Sequence, residues 1–303
     1  MAEIICVGVP FLDYVFEADL PASDDSKTFA RNYQQFGGGM AATASVTVAR
    51  LGGRASLWGR VGMDEAGDHI RDGLARRGVM TDVIRQISGA QSPVSSVVIG
   101  NKGARQAIVF PGRNLDSDAG WLPLERITDV SGVLVDPRWP QAAMPVLERA
   151  RENQLPGVLD ADVGPTPVPR ELVELASHAI FSLPGLSQYT DTTDIPAGLR
   201  KAREGTDAVI GVTAGGAGFY WLSEDDSEVH HIPALAIEPV DTLGAGDVFH
   251  GAFALAIGEG KPMEDAALFA NVAAGMKCAR HGGRDAIPAR SEVWDTIASM
   301  AAD

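Results

Sequence analysis

Apolar positions change period several times along the chain, and each change marks an element. Ile4 to Val9 is continuously apolar and ends at Pro10, which predicts a strand buried on both faces. Residues 13–17 and 27–36 mix polar and apolar positions and read as short, half-exposed strands joined by a polar loop with Pro21. Gly37, Gly38 and Gly39 then lead into a small-residue helix over 40–51, which Gly52 stops. A regular alternation follows. Strands are predicted at 55–60, 132–135, 157–159, 180–182 and 208–213. Helices are predicted from the capping residue Asp64 to Arg77, and at 141–153 and 171–177. Two hairpins interrupt this order, one at 94–99 and 106–110 around Asn101-Lys102-Gly103, the other across 219–232. Helices at 246–257, 263–279 and 291–301 close the chain.

Strands separated by helical segments point to a parallel sheet with helices on both faces. The early strands and the first hairpin do not fit that sheet. They are expected to form a small, discontinuous β lid from residues 13–36 and 93–111, with residues 1–12, 37–92 and 112–303 forming the α/β core.

Composition narrows the function classes. The 303 residues are 45% hydrophobic and 21% charged, as in a globular protein with a buried core. A net charge of -15 argues against nucleic acid as a partner, because phosphate contacts need a basic surface. It does not argue against a nucleotide, which backbone N–H groups and a metal can hold. No apolar run reaches membrane-spanning length, so no membrane partner is expected. The first residues carry no basic n-region, and the two cysteines, Cys6 and Cys278, read as buried free thiols. Both features predict a cytoplasmic protein. The six histidines show no metal-ligand spacing.

The segment richest in chemistry is Asp241-Thr242-Leu243-Gly244-Ala245-Gly246-Asp247, a glycine loop that enters a helix. Gly244 and Gly246 let the backbone approach a ligand, and the helix start offers unpaired N–H groups and a positive dipole end. That is an anion hole suited to a phosphoryl group. A carboxylate at Asp247 stands where it can take a proton from an attacking hydroxyl. A glycine pair followed by Asp is a weak sign when alone, since helix starts favour acids anyway.

The longer string resembles the C-terminal signature of ribokinase-like (PfkB) carbohydrate kinases. Gly37-Gly38-Gly39-Met40-Ala41-Ala42-Thr43, with Gly59-Arg60-Val61-Gly62-Met63-Asp64 beyond it, resembles their N-terminal signature. The resemblance implies a Rossmann-like three-layer (αβα) core with a β lid, ATP as phosphate donor, magnesium as cofactor, a sugar acceptor and a homodimer built through the lid. By position it implies Asp247 as the catalytic base and Gly244, Ala245 and Gly246 as the anion hole. It further implies that Asp13, Gly38, Gly39 and Thr43 line the sugar site. Thr213, Gly215, Gly216, Gly218 and Asn271 are then expected at the nucleotide. Asp241, Leu243, Arg280 and Gly282 resemble a monovalent-cation site for potassium, although Ala286 stands where some members offer a hydroxyl.

Two departures bear on the substrate. Thr43 replaces an Asn common in the family, and Phe181-Ser182-Leu183-Pro184-Gly185 lacks the Asn-x-x-Glu that organises magnesium, leaving Asp160 or Asp162 for that task. The chain resembles ketohexokinase-like members in its opening, and sulfofructose kinase around residues 27–33 and 136–139. Lys27 and Arg138 are therefore expected to face an anionic end of the sugar, whereas Val109 is apolar where a sulfonate would want a polar contact. The expected reaction is phosphorylation of a primary hydroxyl on a ketose or related sugar. A nucleoside kinase of the same family and a non-catalytic sugar sensor are the alternatives. A nicotinamide enzyme is disfavoured, because Val9-Pro10-Phe11 follows the first strand in place of a glycine fingerprint.

Overall fold

A computed structural model describes residues 1–19, 27–100, 105–222 and 228–300. The chain begins with β1 (Glu3–Val7), β2 (Phe11–Glu17), β3 (Asn32–Gly38) and α1 (Met40–Arg50). It continues through β4 (Arg54–Gly62), α2 (Glu65–Ala75), β5 (Val79–Met80), β6 (Ile84–Ile87), β7 (Val94–Ile99) and β8 (Arg105–Phe110). The middle comprises β9 (Gly132–Val135), α3 (Pro140–Glu152), β10 (Gly157–Ala161), α4 (Arg170–Leu175), β11 (His178–Ser182), α5 (Leu183–Thr190) and α6 (Ile195–Arg203). The last part holds β12 (Val209–Thr213), β13 (Phe219–Leu222), β14 (His230–Ile232), α7 (Ala245–Gly258), α8 (Met263–Cys278) and α9 (Arg290–Met300).

The large sheet runs β14-β13-β12-β11-β10-β9-β1-β4-β5, with β6 also pairing β4. It is parallel from β12 to β5, and the terminal hairpin β13–β14 adds antiparallel strands at one edge. Side chains alternate across it as a doubly covered sheet requires. Ile4 and Cys6 of β1 enter a core closed by α1, α2, α7, α8 and α9, whereas Ile5 and Val7 enter one closed by α3, α4, α5 and α6. The second sheet runs β3-β2-β7-β8 and forms the lid. Among the described residues no helix is long and apolar enough to cross a membrane.

Most elements lie where the apolar pattern predicts them, with three informative differences. Strand β3 begins at Asn32, not Lys27, and runs on through the first glycines, because Gly37 and Gly38 pair with Leu12 and Phe11. Helices α5 and α6 are absent from the sequence expectation. Their prolines, Pro184 and Pro196, occupy the first helical turn, where the missing N–H costs nothing. Ser182 and Asp194 cap these helices by accepting from the Gly185 and Ala197 N–H groups. Cys6 is buried as expected, but Cys278 is only half-buried, and neither cysteine is in a disulfide. The turn at 101–103 lies outside the described residues.

One helix contact sets the position of the chemistry. Helix α7 lies against the small residues of α1 so closely that a Cβ on Gly251 would sit 2.5 Å from the Ala44 carbonyl oxygen and 2.8 Å from its Cα. We expect Gly251→Ala to destabilise the fold by about 1–3 kcal/mol through overpacking. Urea unfolding should show a lower midpoint at unchanged slope. An unchanged midpoint would mean that the helices separate without cost.

Candidate active site

Gly244, in the left-handed conformation at φ 74°, turns the chain into α7. The turn accommodates glycine without strain and presents the helix start to two adjoining hollows. Gly244 and Asp247 face a narrow pocket shared with Asp13, Phe36, Gly38, Thr43 and Arg284. Ala245 and Gly246 face a cleft of about 640 Å³ on the other side. The first turn of α7 is thus the wall between two sites. The Gly246 and Asp247 N–H groups have no intrahelical acceptor there. The Ala245 N–H is partly engaged, reaching the Thr242 carbonyl at 3.3 Å.

The narrow pocket joins the two sheets. In the lid, Asp13 lies beside Ser95 in register, and Ser95 Oγ donates to Asp13 Oδ1 at 2.6 Å. A Cβ on Gly38 would come within 2.0 Å of Asp13 Oδ2, so the glycine makes room for that carboxylate. From the core, the Arg284 guanidinium donates to the Gly38 carbonyl at 2.8 Å and to Thr43 Oγ1 at 3.2 Å. Free space is about 60 Å³, less than a sugar needs, so entry requires the lid or Arg284 to shift. Arg284 was not among the residues expected from the sequence. The only signal was its place in the glycine-rich turn after α8.

Electrostatics are strongly perturbed here. Burial, then the Asp160 carboxylate, raises Asp247 to about 8, against the opposing pull of His250 and Arg284. Burial also raises Asp13, while Ser95 and Arg284 pull it back. Arg284 is lowered to about 10 by burial, although Asp247 and Asp13 favour its charge. Perturbed titration in a cleft is a mark of functional sites.

The wide cleft brings together Thr213, Gly215, Gly216, Gly218, Asn271 and Gly246. Positions Gly215, Gly216 and Gly246 look into open space, leaving backbone bare to a ligand. Segment 234–239 forms an apolar wall opposite. Asn271 is only 9% exposed, and its amide donates to the Pro233 carbonyl at 2.7 Å, so it holds that wall in place.

Asp160 lies next to the last residue of β10, buried, and burial raises its carboxyl well above the usual range. Its Oδ2 has no hydrogen-bond partner, and His250 Nδ1 is 3.4 Å away and 2.7 Å from the Gly246 carbonyl. An orphaned buried carboxylate oxygen with Asp162 and Asp247 close enough to be felt suits a hydrated cation brought by a nucleotide.

Other expected residues lie elsewhere. Arg138 does not line the narrow pocket; its guanidinium donates to the Val163 carbonyl and its N–H to Asp136. Lys27 is exposed and also outside that lining. Asp136 explains why its segment is constrained, since its carboxylate accepts from the Val9 and Ala41 N–H groups and ties β1 to α1. Arg280 is committed to Glu292 at 2.7 Å, and Gly282 opens the turn that carries Arg284. Asp241 and the Leu243 carbonyl, expected at a potassium ion, instead meet the Lys277 ammonium, which donates to the Asp241 and Leu243 carbonyls and lies 3.2 Å from Asp241 Oδ2. With that charge in place, the donor set does not fit an added ion.

Known proteins resemble this chain over nearly its whole length. The family model described as pfkB family carbohydrate kinase matches residues 1–290. A ribokinase of Bacillus subtilis is 30% identical over 301 residues, covering 98% of this chain and 100% of its own. A crystal structure from Agrobacterium tumefaciens, provisionally assigned as a ribokinase, is 37% identical with a TM-score of 0.94, covering 100% of this chain and 99% of the other. Arabidopsis thaliana ribokinase, solved with ribose and ATP, shares the fold at 24% identity and a TM-score of 0.85, covering 97% and 98% of the two chains. These matches do not single out the ketohexokinase-like or sulfofructose kinase-like members. The chain belongs to the pfkB family of carbohydrate kinases, and is a phosphotransferase of the ribokinase-like sugar and nucleoside kinase group.

Proposed function

We propose that this enzyme transfers the γ-phosphoryl group of ATP to a primary hydroxyl of a pentose or ketose sugar, with Asp247 as base. The observation that carries the proposal is the single helical turn dividing the two hollows, with the carboxylate on one side and open glycine backbone on the other. Asp13, Gly38 and Thr43 would hold the sugar. Thr213, Gly215, Gly216 and Gly218 would hold the nucleotide, with Asn271 behind them. In the transfer, Asp247 takes the hydroxyl proton, the freed oxygen bonds to the γ-phosphorus, and the bond to the bridging oxygen breaks to release ADP. The N–H groups of Gly246 and Asp247 stabilise the charge on the moving phosphoryl oxygens. Magnesium, when bound with the nucleotide through water to Asp160 and Asp162, would neutralise triphosphate charge.

An anionic sugar is the second reading. It rests on Arg284, a charged fork in the acceptor pocket suited to paired oxygens. Lys27 and Arg138 lie outside the lining of that pocket and add nothing to this reading as they stand. Val109 opposes it, because the strand register puts Val109 in one row with Ser95 and Asp13, on the acceptor side of the lid.

A homodimer through the lid is supported by the opposite lid face, where Tyr33 is 48% and Ile108 70% exposed.

Three outcomes are expected. First, Asp247→Asn should keep the fold and lose about 10²–10⁴-fold in turnover, measured by ADP release over ribose, fructose, adenosine and sulfofructose. Near-normal turnover would remove the base assignment. In the same panel Arg284→Met should raise KM for every acceptor if it only shapes the pocket, and for sulfofructose above all if it reads charge.

Second, a carboxylate raised in the folded state binds protons that the unfolded chain has released, so it costs stability as pH climbs from the ordinary carboxylate range to about 8. Asp247→Asn removes that cost. Its melting temperature relative to the parent should therefore rise over this range and be level below it. A flat difference would show that Asp247 titrates normally. Third, light scattering should give a dimer for the parent and a monomer for Ile108→Asp, and a dimeric variant would place the interface elsewhere.

A further inference from the structure

We propose that the Lys277 ammonium is a built-in monovalent cation for the loop entering α7, so that the enzyme works without potassium. The proposal extends the kinase reading above but rests on its own observations.

Lys277 lies in the last turn of α8, where a lysine normally extends into water and answers the helix dipole. Here the residue is 1% exposed. A charge so far from water has to be paired and hydrogen-bonded. Its Nζ lies 2.9 Å from the Asp241 carbonyl oxygen, 2.5 Å from the Leu243 carbonyl oxygen and 3.2 Å from Asp241 Oδ2. An ammonium has three donors, and the loop supplies three acceptors. Two carbonyls and a carboxylate turned on one point are the oxygen shell that a weakly hydrated monovalent ion takes from a protein. The ammonium meets that shell from within the chain.

The consequence reaches the chemistry through Gly244. The Val240 and Asp241 N–H groups donate to the Cys278 carbonyl at 2.8 and 3.1 Å, so the same end of α8 grips the loop by backbone and side chain. Immediately beyond Leu243 comes the left-handed turn and the first N–H groups of α7. Lys277 also borders the acceptor pocket beside Leu243 and Gly244. Without a positive charge, two carbonyls and a carboxylate would converge with no cation between them, and the loop would open to relieve that repulsion. Lys277 is therefore a positioning residue. A tethered charge cannot dissociate, so no soluble ion should be needed.

The test compares the full-length parent and Lys277→Ala in potassium, ammonium or tetramethylammonium chloride at matched ionic strength. Turnover and melting temperature are both read. The parent should be indifferent to the cation. Lys277→Ala should lose about tenfold or more in kcat. Potassium or ammonium should restore part of that loss and raise its melting temperature, while tetramethylammonium, too large for the shell, should do neither. Stimulation of the parent by potassium would overturn the proposal, as would a variant with no ion-specific recovery in either readout. If Lys277→Ala does not fold, the parent's response decides. If no acceptor is phosphorylated, the kinase reading fails by itself, and ion-specific melting of the variant still judges this one.

Discussion

The chemical centre depends on where α7 begins. Its start is fixed from two sides by contacts of different kinds. On one side Gly251 lets the helix sink onto the backbone of α1 near Ala44, which brings Asp247 next to Thr43. On the other, α8 holds the incoming loop through Lys277 and the Cys278 carbonyl. Neither contact tolerates slack: the first is backbone against backbone, and the second pairs buried charge. Asp247 and the helix N–H groups inherit that rigidity, which is what preorganised electrostatic stabilisation requires.

Helix α8 has a second task of the same kind. Asn271 holds the Pro233 carbonyl six residues before Lys277 holds Asp241 and Leu243. The stretch between those anchors is the apolar wall of the wide cleft. One helix thus braces that wall at both ends, and ties it to the loop that enters α7.

Much of this was legible before any coordinates, for physical reasons. The core strands are continuous apolar runs because both faces are covered, and the glycine loop before Asp247 is a local motif whose geometry follows from its residues. What stayed hidden depends on tertiary placement. Pro184 and Pro196 look like breaks until Ser182 and Asp194 are seen capping the turns that contain them. Lys277 and Arg284 look like solvent-facing basic residues, and nothing local says that they turn inward. Conversely, Lys27 and Arg138 looked like substrate contacts because of the segments around them. The structure commits Arg138 to the loop after β10 and leaves Lys27 at the surface, while the guanidinium in the acceptor pocket comes from a turn near the C-terminal end of the chain.

The acceptor pocket is divided between two bodies. Asp13 and Gly38 belong to the small sheet, whereas Thr43 on α1, Asp247 on α7 and Arg284 in the turn after α8 belong to the core around the large one. A sugar held as proposed by both sets would feel any change in the angle between the small sheet and the core. Substitutions where the chain passes from one body to the other, as at residues 8–10 between β1 and β2, would then alter that angle without touching a reacting atom.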